Sequence, residues 1–197
     1  MMESSRLCEP HVTGLLARLQ AALADRYSVD RAVGRGGMAT VFLAEDRKHH
    51  RSVAIKVLHP ELATSLGVER FLREIDIAAG LTHPHILALY DSGHAGDLLY
   101  YVMPYIEGET LRGRLERERQ LPIADAVRIA CEIADALGYA HGHGVVHRDV
   151  KPENVMFSAG SAVVADFGIA RAVTVATLQP LTASGVIVGT PAYMSPE

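Results

Sequence analysis

Apolar residues recur along this chain with two different periods. Between positions 11 and 24, Val12, Leu15, Leu16, Leu19 and Leu23 fall at three- and four-residue steps with Arg18 and Gln20 elsewhere on the wheel, which predicts an amphipathic helix. Such a stripe docks either on the chain's own domain or on a partner, and the first use is the expected one. The period then shortens to two. SVDRAV, TVFLAE and SVAIKVL alternate as strands, the first two joined by the glycine-rich GRGGMA, and predict an antiparallel meander. A helix is expected over about 68 to 81, and after it LALYDSG and LLYYVMPY predict two more strands separated by SGHAGD. From position 110 the pattern turns helical, with ADAVRIACEIADALGYAHGHG ending in glycines that suit a C-terminal cap. Beyond it, VMF and AVVA flank the turn SAGS and are expected to pair as a hairpin.

Strands first and helices second is the order of an α+β protein, or of two lobes with a cleft where they meet. Composition adds limits. With 197 residues, 49% hydrophobic and 21% charged, the chain can bury a sizeable core. A net charge of -4 and a pI near 6.2 give no cationic face, so no nucleic-acid or anionic-membrane partner is expected. Cys8 and Cys131 lie too far apart for a CxxC spacing, which argues against a disulfide framework or zinc site and for a reducing compartment, the cytoplasm. No apolar run approaches the roughly 18 to 20 residues of a membrane span, and no apolar signal core opens the sequence.

The candidate chemistry sits in three stretches. GRGGMATV places Gly34, Gly36 and Val41 in the pattern G-x-G-x-x-G-x-V, with Ala39 where a third glycine would stand. Glycines in a strand–turn–strand let backbone N–H groups approach phosphate oxygens, although an ordinary hairpin turn reads the same way. In VAIK, alternation puts Ala54 and Lys56 on one face and Val53, Ile55 and Val57 on the other. A half-buried lysine either snorkels to water or needs a partner. Glu74 shares a helix face with Phe71, Ala78 and Leu81, and a Lys56–Glu74 ion pair would satisfy both while leaving lysine donors for phosphate. In HRDVKPENV, Asp149, Lys151 and Asn154 occupy a proline-broken loop after the long helix. The following hairpin puts Asn154 at its entry opposite Asp166 at its exit, a pair of oxygen ligands suited to Mg²⁺; each alone reads as a turn cap. His83 with His85, and His141 with His143, have no third metal ligand at a recognised spacing, and His147 reads as a packing residue.

In this order the stretches resemble the eukaryotic-type protein kinases, of the bacterial serine/threonine kind. GRGGMATV looks like the glycine-rich loop, VAIK like the strand motif, and HRDVKPEN like the catalytic loop with Val150 for the usual leucine; DFG and SPE frame an activation segment. The resemblance implies an α+β, two-lobed protein-kinase-like fold with a complete β-rich N-lobe and an incomplete helical C-lobe. It divides the chain into an N-terminal amphipathic helix (1–24), an N-lobe (25–103), and a hinge with part of a C-lobe (104–197). ATP and Mg²⁺ are the implied cofactors. ATP would be bound by Gly34, Arg35, Gly36, Gly37, Met38, Ala39 and Val41 of the loop, by Ala54, by Lys56 oriented by Glu74, by Met103 as gatekeeper, and by the backbone of Pro104 and Ile106 in the hinge. A carbonyl serves at the first hinge position, so Pro104 is tolerable, and Ala39 is tolerable if its φ is not positive. Asn154 and Asp166 would hold Mg²⁺, Asp149 would accept the substrate hydroxyl's proton, and Lys151 would stand beside the transferred phosphate.

Serine/threonine kinase activity on protein substrates is thus the implied function, with autophosphorylation among its reactions. Arg148 before the base implies control by phosphorylation in the activation segment, with Thr182 the expected main site, Ser184 a second, and Thr190 contacting the catalytic loop. In this family the chain continues past SPE, so the resemblance also implies truncation, with the apolar undersides of the helix at 123 to 141 and of the HRD loop facing water. The alternative is a catalytically inactive nucleotide-binding or interaction fragment.

Overall fold

The computed structural model describes residues 10–167 and 191–193. Thr182, Ser184, Thr190 and the SPE motif all fall outside them, so the expectations about the activation segment do too. The described residues form two units, one from residues up to Glu69 with Leu89–Tyr105, the other from Arg70–Ala88 with the residues from Ile106 onward.

The first unit opens with α1 (Pro10–Leu23) and continues through β1 (Tyr27–Arg35), β2 (Ala39–Asp46), β3 (Arg51–Leu58) and α2 (Pro60–Leu66). After a departure into the other unit it ends with β4 (Asp91–Ala95) and β5 (Leu98–Pro104). Its sheet has the order β1-β2-β3-β5-β4 and every pairing is antiparallel. Alternation splits the strands into two faces, as the period of two predicts. One carries Val29, Phe42, Ala44, Val53, Ile55 and Val102, and α1 buries Val12, Leu19 and Leu23 in the same core. The helix therefore docks on its own unit. Arg18 pairs with Asp97, and Gln20 donates to the Val29 carbonyl at 2.9 Å, so polar contacts fix the angle of docking. Below them Arg26 and the Tyr27 hydroxyl both donate to Asp91, at 2.7 and 3.1 Å, tying the start of β1 to β4.

Two details differ from the expectation. PELATSL carries no predicted helix, yet α2 forms there, started by Pro60 in its first turn and followed by Gly67 at φ 76. LALYDSG is not one strand: β4 begins only at Asp91, and SGHA, read as part of a turn, pairs with β5. The turn is the two-residue Gly96-Asp97, with Gly96 at φ 63. The LAL part is claimed by another pairing, because Val164 donates to His85 and accepts from Leu87, both at 2.9 Å.

The second unit holds most of α3 (Val68–Ala79), then α4 (Leu111–Glu118), α5 (Ile123–Gly142), a 3₁₀ turn at Pro152–Asn154, β6 (Val155–Ser158) and β7 (Ser161–Val164). α5 closes with Gly144 at φ 74, whose N–H donates to His141 while Val145 donates to Ala140. Those crossed bonds satisfy the helix's last carbonyls and turn the chain into the HRD loop. Val145, Val164 and Phe167 pack with Ala136, Ala140, Leu81 and Ile86 in one core, and Ile129, Val155 and Ala162 in another. The β6–β7 hairpin turns on Ala159 and Gly160, both at positive φ, the geometry that follows strand twist. It is pinned to α5 by Glu132, which accepts from the Ala162 N–H at 2.7 Å. Ile123 and Val127 on α5, and Val146 and Val150 after it, are exposed. Among the described residues no helix is long and apolar enough to cross a membrane.

Candidate active site

In the first unit, the sheet face opposite α1 gathers several of the predicted residues. Antiparallel register sets Gly34, Val41, Lys56 and Tyr101 directly across from one another in one row, and Leu43, Ala54 and Met103 in the next. Directly opposed residues share a face, so Val41, Ala54, Lys56 and Met103 stand together. Lys56 is half-buried, with Nζ 5.9 Å from the Tyr101 ring centroid, and Met103 is buried at the end of β5. Pro104 closes that strand, pairing with Val53.

Gly36, Gly37 and Met38 form the turn between β1 and β2, with the Gly36 N–H donating to the Ala39 carbonyl at 2.9 Å. Ala39 is a strand residue without positive φ, which is why alanine fits there. Gly36 and Gly37 do not need positive φ either; a Cβ on Gly37 would meet nothing within 4 Å. At Gly36 and Gly37 the turn carries no side chain.

In the second unit, the loop after α5 is organised around His147, 1% exposed. Its Nε2 lies 2.8 Å from the Ala165 carbonyl, which can only accept, so Nε2 carries the hydrogen. Nδ1 is then the acceptor for the Asp149 N–H at 3.3 Å. The ring also packs edge-on against Phe167, 4.7 Å between centroids. Burial holds the His147 pKa below its usual value, more than nearby acids raise it, which favours this neutral tautomer. His147 is thus a packing residue, and also a bridge from the end of β7 to the backbone of Asp149.

Asp149 is fixed from two more sides. Lys151 Nζ lies 2.6 Å from its Oδ2, and Asn154 Nδ2 donates to its main-chain oxygen at 2.9 Å and more distantly, at 3.4 Å, to Oδ2. Spending the amide nitrogen on Asp149 turns the Asn154 amide oxygen, the atom a hard cation takes, the other way. The Asn154 carbonyl accepts from the Ala165 N–H at 2.8 Å, so Asp166 follows directly on the residue paired with Asn154, close to the expected arrangement across the hairpin. An amide oxygen and a carboxylate at one hairpin end are a donor set that fits Mg²⁺. Arg148, exposed, and Asp166 both adopt left-handed backbone, φ 69 and 68. Glu74 lies on the buried side of α3 with Phe71, Ile75 and Ala78, and Ile106 opens the second unit's central stretch.

The histidine pairs have other employment. His85 Nδ1 donates to the Ala162 carbonyl at 2.9 Å, and His83, Tyr139 and His143 line up their rings at 5.0 and 4.3 Å. Among the described residues, no three His, Cys, Asp or Glu side chains gather as metal ligands. Two contributors carry no sequence signal: Glu132, which pins the hairpin, and His147 in its bridging role. Both act through bonds to distant backbone.

The chain belongs to the protein kinase domain family, which matches residues 27–197. It is 45% identical over 181 residues to the serine/threonine-protein kinase PknB of Mycobacterium leprae, covering 89% of this chain and 29% of that protein. It is 41% identical over 177 residues to the probable serine/threonine-protein kinase PknA2 of Bifidobacterium longum, covering 87% and 23%. The chain thus spans less than a third of the length of these relatives. Among solved structures it is similar to the crystal structure of the Mycobacterium tuberculosis PknI kinase domain, with 37% identity and a TM-score of 0.64 over 73% of this chain and 60% of that one.

Proposed function

We propose that the chain transfers the γ-phosphate of ATP to serine and threonine hydroxyls of proteins. The observation that carries the reading is the binding of Asp149 by its surroundings: backbone held by His147 and Asn154, carboxylate held 2.6 Å from Lys151. A carboxylate so fixed suits a general base, since placement within hydrogen-bond reach of the hydroxyl comes before any other requirement. Asp149 takes the proton from the acceptor hydroxyl as its oxygen bonds to the γ-phosphorus, and the bond to the bridging oxygen of ADP breaks. Lys151 offsets charge on the moving phosphoryl group. In a reaction with a loose transition state, positioning and electrostatics supply most of the acceleration.

In this reading the backbone of Gly34, Arg35, Gly36, Gly37, Met38 and Ala39 faces the phosphates, Val41, Ala54 and Met103 enclose the adenine, and the carbonyl of Pro104 and backbone of Ile106 read its edge. Lys56, oriented by Glu74, holds the α- and β-phosphates. Asn154 and Asp166 are the residues to hold Mg²⁺, which when bound neutralises phosphate charge. Arg148 receives a phosphate placed on Thr182 or Ser184, Thr190 meets the catalytic loop, and autophosphorylation supplies that modification. Use of ATP fits a cytoplasmic setting. The test is incubation with γ-labelled ATP, Mg²⁺ and a mixed protein acceptor, followed by acid hydrolysis. Label in phosphoserine and phosphothreonine is expected; label absent from all hydroxyl residues while the chain still binds Mg-ATP would leave the inactive-fragment reading standing instead.

A further inference from the structure

His59 stands between β3 and α2, at the position that caps α2, and its backbone has the extended geometry of a cap, φ −66 and ψ 143. Its side chain makes no cap hydrogen bond, and histidine is not among the residues favoured there. The ring is engaged with the glycine-rich turn instead. Nδ1 lies 3.2 Å from the Gly37 carbonyl oxygen and Nε2 3.3 Å from Thr40 Oγ1, while the main-chain N–H of His59 donates to the Met38 carbonyl at 3.0 Å. A carbonyl only accepts, so Nδ1 carries a hydrogen, and the buried Thr40 hydroxyl finds its partner in Nε2. One residue outside the loop thereby meets Gly37, Met38 and Thr40.

The direction of these bonds matters. Thr40 pairs with Val57, which belongs to the core under α1, so His59 reaches the turn from the side of the sheet opposite Lys56. A trans peptide is planar, with its C=O and N–H on opposite edges. Drawing the Gly37 carbonyl toward His59 therefore turns the N–H of Met38 toward the face that carries Lys56. A Cβ added to Gly37 would meet nothing within 4 Å, so the space on that side of the turn is open.

We propose that His59 is a positioning residue for phosphate binding: it holds the Gly37–Met38 peptide with its N–H aimed to the Lys56 side, so the glycine-rich turn presents a donor before nucleotide arrives. The proposal rests on the Mg-ATP reading above. Its physical basis is preorganisation, which lowers the ordering cost paid on binding.

The test is calorimetric titration of Mg-ATP and, separately, of adenosine into the 197-residue chain and three variants. His59→Ala is expected to weaken Mg-ATP binding about five-fold, the effect of one ordinary hydrogen bond, and to leave adenosine binding unchanged. His59→Asn, which keeps a donor near the place of Nδ1, is expected to restore Mg-ATP affinity, and His59→Gln, whose amide reaches toward the place of Nε2, is not. Unchanged Mg-ATP affinity in the alanine variant, equal weakening of both ligands, or rescue by glutamine as full as by asparagine would overturn the proposal. If the alanine variant does not fold, the asparagine–glutamine comparison decides alone. A wild-type chain that binds adenosine and no Mg-ATP would instead defeat the nucleotide reading itself, and the proposal with it.

Discussion

Asp149→Asn is expected to lower the rate of phosphoryl transfer by about 10² to 10⁴, the usual worth of a general base, while Mg-ATP binding stays near wild type. The substitution isolates the base because it changes so little else. Asparagine has the shape of aspartate, the Asp149 N–H still reaches His147, and its main-chain oxygen still accepts from Asn154 at 2.9 Å. What is lost is the ability to take a proton and the charge that faces Lys151 at 2.6 Å. That pair is only 24% and 21% exposed, so the variant's unfolding midpoint is measured beside its rate to separate stability from chemistry. Single-turnover kinetics read the chemical step directly; transfer by the variant at the wild-type rate would remove Asp149 from the mechanism or expose a contaminating kinase.

Asp166→Asn is expected to raise the Mg²⁺ concentration needed for half-maximal transfer by about 100-fold or more, since loss of even an outer-shell partner commonly costs 10- to 100-fold in metal affinity. Asparagine is the substitution to make for a backbone reason. Asp166 sits at φ 68, a region that asparagine and aspartate tolerate and alanine does not, so Asp166→Asn changes the charge without straining the end of β7. The amide oxygen of Asn154 would remain as the other ligand, with Ala165 still bonded to its carbonyl at 2.8 Å. Transfer rates measured across a Mg²⁺ series give the shift. A Mg²⁺ dependence identical to wild type would move the metal away from Asp166.

Much of this site was legible because its residues obey local rules. Val53 to Val57 alternate as a half-buried strand must, and that alone set Ala54 and Lys56 on the face where β2 and β5 add Val41 and Met103. SAGS between two apolar runs predicted the hairpin, and the hairpin brought Asn154 level with Ala165, one residue before Asp166. The errors arose where a distant partner decides. LALYDSG reads as one strand, but His85 and Leu87 bond with Val164, so β4 starts later and pairs through residues that look like a turn. α2 leaves no trace in the pattern because seven residues give too short a run for a helical period to register. His59, Glu132 and the bridging role of His147 all work by side-chain bonds to backbone far along the chain, 22 residues away for His59 and Gly37, 30 for Glu132 and Ala162. Bonds of that kind leave no period and no motif. The roles given to Asp149, Lys151 and the hinge came from resemblance to protein kinases, because no period or spacing assigns a role in catalysis.

Base, metal ligands and loop all presuppose that the chain holds Mg-ATP, so the decisive measurement is a thermal unfolding scan without nucleotide, with Mg-ATP, and with ATP plus chelator. Mg-ATP at 100 times its Kd should add about 2.7 kcal/mol, which for a chain of this size raises the midpoint by about 5 to 10 °C. The expected result is that shift with Mg-ATP and little of it when the metal is chelated. A cooperative transition that Mg-ATP leaves unmoved, at concentrations up to the millimolar range, would contradict the reading of these residues as a nucleotide site.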